Sequence, residues 1–195
     1  FLKLEEGGLY AVGRMASDLG ISRKDLQKGK FRLPAYRALY LDHLMKESPG
    51  VAYYRDQMLK AMVRGIKSVE DSDYPVPESL RGVLREYQRV GYCWLKTLDS
   101  YGFGGILADD MGLGKTIQII TLLKDAYGTG ERQPSLIICP ASLVYNWEHE
   151  IGRFAPDLRV LSIVGNGPER EARLESVREQ LSGGTGDGCQ VLVTS

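Results

Sequence analysis

One eight-residue stretch constrains this chain more than any other: Asp109-Asp110-Met111-Gly112-Leu113-Gly114-Lys115-Thr116. A short apolar run, Gly104-Gly105-Ile106-Leu107-Ala108, precedes it, and helical periodicity follows from residue 115. A glycine-containing turn between a strand and a helix is the setting a phosphate-binding loop requires. Gly112 and Gly114 let the backbone bend and approach phosphates with no Cβ in the way. The loop N–H groups, those of Met111 and Leu113 included, then form an anion nest at a helix N-terminus. Lys115 is placed to supply a charge to the β- and γ-phosphates, and the Thr116 hydroxyl to ligate Mg²⁺. The general pattern opens with glycine where this chain has Asp109, so the match is imperfect.

The surrounding pattern is α/β. Apolar spacing predicts an amphipathic helix over 83–100, with Leu84, Tyr87, Gly91, Trp94, Leu95 and Leu98 on one face. Strands are expected at 104–108, 135–139, 159–164 and 190–194. Helices are expected at 115–127, 142–154 and 169–181. Short β-branched runs alternating with helices imply a parallel sheet joined by crossovers. Glycine-rich loops at 128–130 and 183–188 read as mobile. An acidic stretch with Pro75 and Pro77, over 68–80, reads as a connector. Before it the pattern is helical: 22–28 with a capping-box-like Ser22 and Asp25, 35–47 beginning after Pro34, and 51–67. Tyr36, Tyr40, Tyr53 and Tyr54 are expected in that region's core. The domain reading is a helical N-terminal region over 1–75 and an α/β lobe over 76–195.

Composition narrows the class. The formal net charge is zero, which excludes a protein that coats nucleic acid by bulk basicity but not one with a local basic groove. The three cysteines are far apart, so neither a disulfide framework nor a zinc site is expected, and a reducing cytoplasm is the natural compartment. No apolar run approaches the ~20 residues that span a bilayer, and no signal peptide is visible at the start. The mixed-sign run Arg170-Glu171-Ala172-Arg173-Leu174-Glu175 reads as a solvated helix face.

The segment 104–118 resembles motif I of the Swi/Snf-type DNA-dependent ATPases of helicase superfamily two, where Asp at the first-glycine position is normal. Leu84-Arg85-Glu86-Tyr87-Gln88 resembles that family's Q motif. There Gln88 would recognise adenine, whose N7 acceptor and N6 donor suit an amide. Leu136-Ile137-Ile138-Cys139-Pro140-Ala141-Ser142-Leu143-Val144-Tyr145-Asn146-Trp147-Glu148 resembles motif Ia, and Val191-Leu192-Val193-Thr194-Ser195 resembles the strand into motif Ib. Residues 31–80 are similar to the region preceding the motor in bacterial members. The resemblance implies a RecA-like lobe that binds ATP and Mg²⁺ and tracks along duplex DNA. Ser142, Thr194 and Ser195 are then candidate DNA contacts. For Ser142 the alternative is an N-cap of the following helix, and for Thr194 and Ser195 it is an ordinary strand role. Trp147 is expected to pack against the sheet. Asp109 and Asp110 are expected to face away from bound phosphates, which they would repel.

No Asp-Glu dipeptide occurs in the chain, although the family's motor uses such a pair to hold Mg²⁺ and orient water. The chain therefore reads as a piece that binds nucleotide weakly and hydrolyses it negligibly, with hydrolysis belonging to the parent protein. Three other readings stay open. One is a helicase of the same superfamily that unwinds RNA or DNA. Another is a nucleotide-binding regulatory module that never hydrolyses ATP. The more distant one is a P-loop kinase, which leaves the Gln88 and 140–147 segments unexplained. An unidentified protein partner is expected for the N-terminal region, and localisation on the nucleoid when DNA is bound.

Overall fold

The computed structural model describes residues 3–4, 8–29, 32–34, 36–48, 51–67, 72, 74–130, 133–182 and 188–195. By contacts the chain forms two compact units, one of Phe1–Ser72 with Thr97–Gly105, the other of Asp73–Lys96 with Ile106–Ser195.

The first unit is built on four helices: α1 (Gly8–Leu19), α2 (Arg23–Lys28), α3 (Tyr36–Lys46) and α4 (Gln57–Lys67). Strands β1 (Lys3–Leu4) and β2 (Val51–Ala52) pair antiparallel. Met15, Leu19, Leu44 and Met45 form its core, with Val12, Ile21, Leu26, Leu41 and Tyr53 packed around them. The sequence reading gave no element before residue 22, yet Val12, Met15 and Leu19 have the three- and four-residue spacing of a helix face. The capping expected at α2 is present: Ser22 Oγ accepts from the Asp25 N–H at 3.2 Å. Asp42 is buried, with Lys46 at 2.7 Å and Arg55 at 3.2 Å.

Two expectations for this unit fail. The helix expected over 51–67 starts only at Gln57, because Asp56 Oδ1 accepts the Leu59 N–H at 2.7 Å and caps it there, while Val51–Ala52 is spent on β1. Of the four tyrosines expected in the core, only Tyr53 packs there; Tyr36, Tyr40 and Tyr54 are exposed. The Tyr40 hydroxyl bonds the Asp18 carboxylate, which keeps it at the surface. Residues 68–71 and 73 of the expected connector, and 183–187 of the expected mobile loop, lie outside the described residues.

The second unit holds α6 (Lys115–Gly128), β3 (Ser135–Ile138), α7 (Val144–Phe154), β4 (Val160–Ile163), α8 (Gly167–Ser182) and β5 (Val191–Thr194). Helix α5 (Glu86–Ser100) starts here, and the contact boundary crosses it at Lys96. The strands run parallel in the order β3-β5-β4, with Ser135 opposite Val191 and Val160 opposite Val191. Ile120, Val144, Ile151, Val191 and Val193 are fully buried and form the core, on which Trp147 packs as expected. This is a parallel α/β arrangement, and the helices of the first unit precede it in the chain.

The strand expected at 104–108 is not formed: these residues carry no strand geometry and Ile106 is 86% exposed. A strand needs a partner for its N–H and C=O groups, and among the described residues none lies alongside. The run Arg170–Glu175 is also more than a solvated face. Arg170 donates to Thr194 Oγ1 and the Ser195 carbonyl, and Arg173 to the Ser162 carbonyl. Two arginines of α8 thus clamp the ends of β4 and β5.

Candidate nucleotide site

The loop enters α6 through Gly114, in left-handed conformation with φ 78° and ψ 42°, and no side chain caps the helix. Gly112 is left-handed as well, at φ 85°. Both conformations suit glycine and strain other residues. The result is a helix start whose first N–H groups have no side-chain acceptor, the condition for binding an anion there.

Lys115 folds back over the loop. Its Nζ donates to the Asp109 carbonyl at 2.7 Å and to the Asp110 carbonyl at 2.9 Å. No carboxylate pairs with it among the described residues, so its charge is met only by neutral oxygens. The Thr116 hydroxyl has no hydrogen-bond partner among them either. Gly112, Gly114, Lys115, Thr116 and Gln88 border one cavity of about 710 Å³. Such a volume lies within the usual range for cofactor clefts.

Gln88 is buried, and its amide faces the protein. Oε1 accepts the Arg85 N–H at 3.0 Å and Nε2 donates to the Leu113 carbonyl at 3.0 Å. A Cβ on Gly114 would stand 2.4 Å from that Nε2, so the amide lies directly against the loop. Asp109 turns away from the cavity, as charge repulsion predicts, and its Oδ2 accepts from Gln118 Nε2 at 2.8 Å.

Several candidates lie elsewhere. Met111 is 96% exposed, and neither it nor Leu113 is on the cavity wall. Ser142 sits in a 3-10 turn, Ala141–Leu143, and α7 is preceded by Leu143 with no side-chain cap bond. The N-cap role considered for Ser142 is therefore not taken, because the 3-10 turn moves the helix start two residues on. The Thr194 hydroxyl accepts from Arg170 at 2.9 Å and donates to the Ile163 carbonyl at 3.0 Å, while the Ser195 carbonyl takes the other Arg170 bond. The Cys139 N–H bonds the Thr194 carbonyl at 2.9 Å, so the segment that leads to Ser142 leaves the sheet at the same C-terminal end as Thr194.

Sequence reasoning missed the far wall. Asn146, Glu150, Arg153 and Phe154 of α7 border the same cavity. The four-residue step from Asn146 to Glu150 was the available signal, since it puts both on one helix face. Among the described residues no metal-holding group of histidine, cysteine or acidic side chains occurs. Among the described residues no helix is long and apolar enough to cross a membrane.

Comparison with known proteins places the sequence in a family. Residues 87–195 match the SNF2-related domain and residues 1–77 match the bacterial SNF2 helicase associated domain. YwqA of Bacillus subtilis, named for an ATP-dependent helicase/translocase, is 41% identical over 123 residues, 62% of this chain. The uncharacterized ATP-dependent helicase MG018 of Mycoplasma genitalium is 48% identical over 99 residues, 50% of the chain. Helicase SWR1 of Saccharomyces cerevisiae is 49% identical over 104 residues, 52% of the chain. These matches cover only 13%, 10% and 7% of the respective relatives. The solved SWI2/SNF2 ATPase core of Sulfolobus solfataricus in complex with dsDNA aligns over 62% of this chain and 23% of its own. Its identity is 36% and its TM-score 0.47.

Proposed function

Since the chain belongs to the SNF2-related family, whose pattern spans residues 87–195, we propose that it carries the ATP-binding part of a motor that translocates along double-stranded DNA. The observation that supports this reading is the cavity of about 710 Å³ at the open start of α6, bordered by Gly112, Gly114, Lys115 and Thr116. These residues fit a nucleotide triphosphate. The helix N–H groups are uncapped, Lys115 has no anionic partner, and the Thr116 hydroxyl is unbonded.

In this reading Lys115 leaves the two loop carbonyls and turns to the β- and γ-phosphates. Gly112 and Gly114 keep the backbone close to them, with the N–H groups of Met111 and Leu113 in the same nest. Thr116 would hold a Mg²⁺ ion, which would supply charge neutralisation at the phosphates. Gln88 fixes the loop through Leu113 and keeps one amide N–H for the adenine. Ser142, Thr194 and Ser195 mark the DNA-facing end of the sheet, where the Thr194 hydroxyl is already bonded to Arg170 and the Ile163 carbonyl.

Hydrolysis is assigned to the whole protein. No Asp-Glu dipeptide of the kind that orients water occurs in this sequence, so the chain alone turns nucleotide over negligibly; it also binds nucleotide weakly, because a lone lobe leaves one side of the ligand in water. The division into an accessory region over 1–75 and a lobe over 76–195 belongs to the same proposal, as do a protein partner for the accessory region and a cytoplasmic, nucleoid-associated location. The competing reading is a nucleotide-binding module that never hydrolyses.

The test is ATP hydrolysis by the full-length protein, with and without duplex DNA, beside a Lys115→Ala variant. Stimulation by duplex that disappears in the variant is expected. An arginine finger alone contributes roughly 10³- to 10⁵-fold to such rates, so a competent motor stands far above background. An intact protein with no turnover on any nucleic acid would favour the regulatory module; stimulation by RNA alone would favour an unwinding helicase.

A further inference from the structure

Asp109 stands where the general phosphate-loop pattern has glycine, and the packing around it gives a reason. Gln118, in the first turn of α6, is fully buried. Its Nε2 donates to Asp109 Oδ2 at 2.8 Å. Its backbone N–H points to the Gly114 carbonyl at 3.4 Å. The side chain of Gln118 thus ties down the loop at its entry, Asp109, while the bond to Gly114 at the exit belongs to the first turn of the helix itself.

The other end of the amide is costly. Gln118 Oε1 is buried with no hydrogen-bond partner. It lies over Gly91 of α5, where a Cβ would stand only 1.9 Å from it. A leucine would fill the same space without an orphaned acceptor. The amide is accounted for by its donor, and the carboxylate of Asp109 is an ionised acceptor, which makes the stronger hydrogen bond. The Asp109 carbonyl meanwhile takes one of the two Lys115 bonds, at 2.7 Å. Holding the carboxylate thus also fixes where the lysine rests.

We propose that Asp109 and Gln118 are positioning residues of the phosphate loop, and that residue 91 is glycine because the Gln118 amide occupies the space of its Cβ. This rests on the nucleotide reading above and deepens it. The pair touches no phosphate. Both ends of the nest are set before nucleotide arrives, which lowers the ordering cost of binding.

The test is equilibrium binding of Mg-ATP and of inorganic tripolyphosphate to the full-length protein, with thermal unfolding measured alongside. Asp109→Ala, Gln118→Leu and Gly91→Ala should each weaken both ligands roughly tenfold, the scale on which supporting contacts act on a bound group. Asp109→Asn keeps an acceptor and should recover most of the affinity. Gly91→Ala combined with Gln118→Ala should be no weaker than Gln118→Ala alone, since both act through one amide. Wild-type affinity in Asp109→Ala and Gln118→Leu would overturn the proposal and leave the nucleotide reading standing. So would losses that follow the unfolded fraction, or additive losses in the double variant. A full-length wild-type protein that binds neither ligand, while folded, would remove both.

Discussion

Gln88 offers one acceptor and two donors, and two of these three positions are committed to Arg85 N–H and to the Leu113 carbonyl. Gln88→Glu replaces the donor facing Leu113 with a second oxygen in a buried place. It should cost about 1–3 kcal/mol of stability at neutral pH, the penalty for stranding a buried polar group. Urea unfolding would read this, and Gln88→Leu should cost less, because it introduces no buried charge. Equal stability of the Glu variant and the natural chain would show that the amide contacts carry no weight. The phosphate loop itself was legible because its chemistry is contiguous: two glycines, a lysine and a threonine within five positions. Gln88 could be picked out by type and motif, but its partner lies 25 residues away. The Asp109–Gln118 bond was illegible for the same reason, although both residues stood inside the quoted motif.

Elements were legible where periodicity ran unbroken. Helices α5, α6 and α8, and strands β3, β4 and β5, fall within a few residues of their expected limits. The misses have local causes: Asp56 caps α4 at Gln57, and 104–108 has the composition of a strand but no neighbour to pair with. Links between elements were not legible at all. One of them joins Lys124 on α6 to Asp157, just before β4. The hydrogen bond from Lys124 holds the Asp157 carboxyl below its ordinary range, partly offset by desolvation. A lowered carboxylate pKa stabilises the fold above the unfolded value, near 3.9, and that contribution is lost as pH falls through the folded value. Lys124→Met keeps the stem and removes the charge. It should lower stability by no more than about 1 kcal/mol at pH 7, since Asp157 is 66% exposed. The difference should vanish under acid conditions that protonate Asp157 in the folded chain. A deficit that is unchanged on acidification would assign the effect to packing of the lysine stem.

At the scale of the whole chain, composition and element order gave the α/β class, but the number of paired strands depends on which backbone edges find partners, and no local pattern reports that. The three-stranded sheet keeps β3 at one edge. Leu136 and Ile138 alternate along it and are 58% and 72% exposed, and Ile106 is 86% exposed. An apolar strand with a free edge and an open face is a template for association with another copy. Burying these side chains recovers roughly 25 cal/mol per Å² of apolar surface, and pairing the edge satisfies N–H and C=O groups that otherwise rely on water. The chain in isolation should therefore self-associate as its concentration rises, and high salt should not reverse this, because the contact is apolar. Leu136→Thr with Ile138→Thr puts β-branched residues at both strand positions while removing apolar surface that the fold leaves uncovered. That variant should sediment as a monomer over a wider concentration range, with little change in its unfolding midpoint. Association that persists in the double variant would move the sticky surface away from β3. A large drop in its midpoint would show that Leu136 and Ile138 are covered in solution by some part of the chain itself.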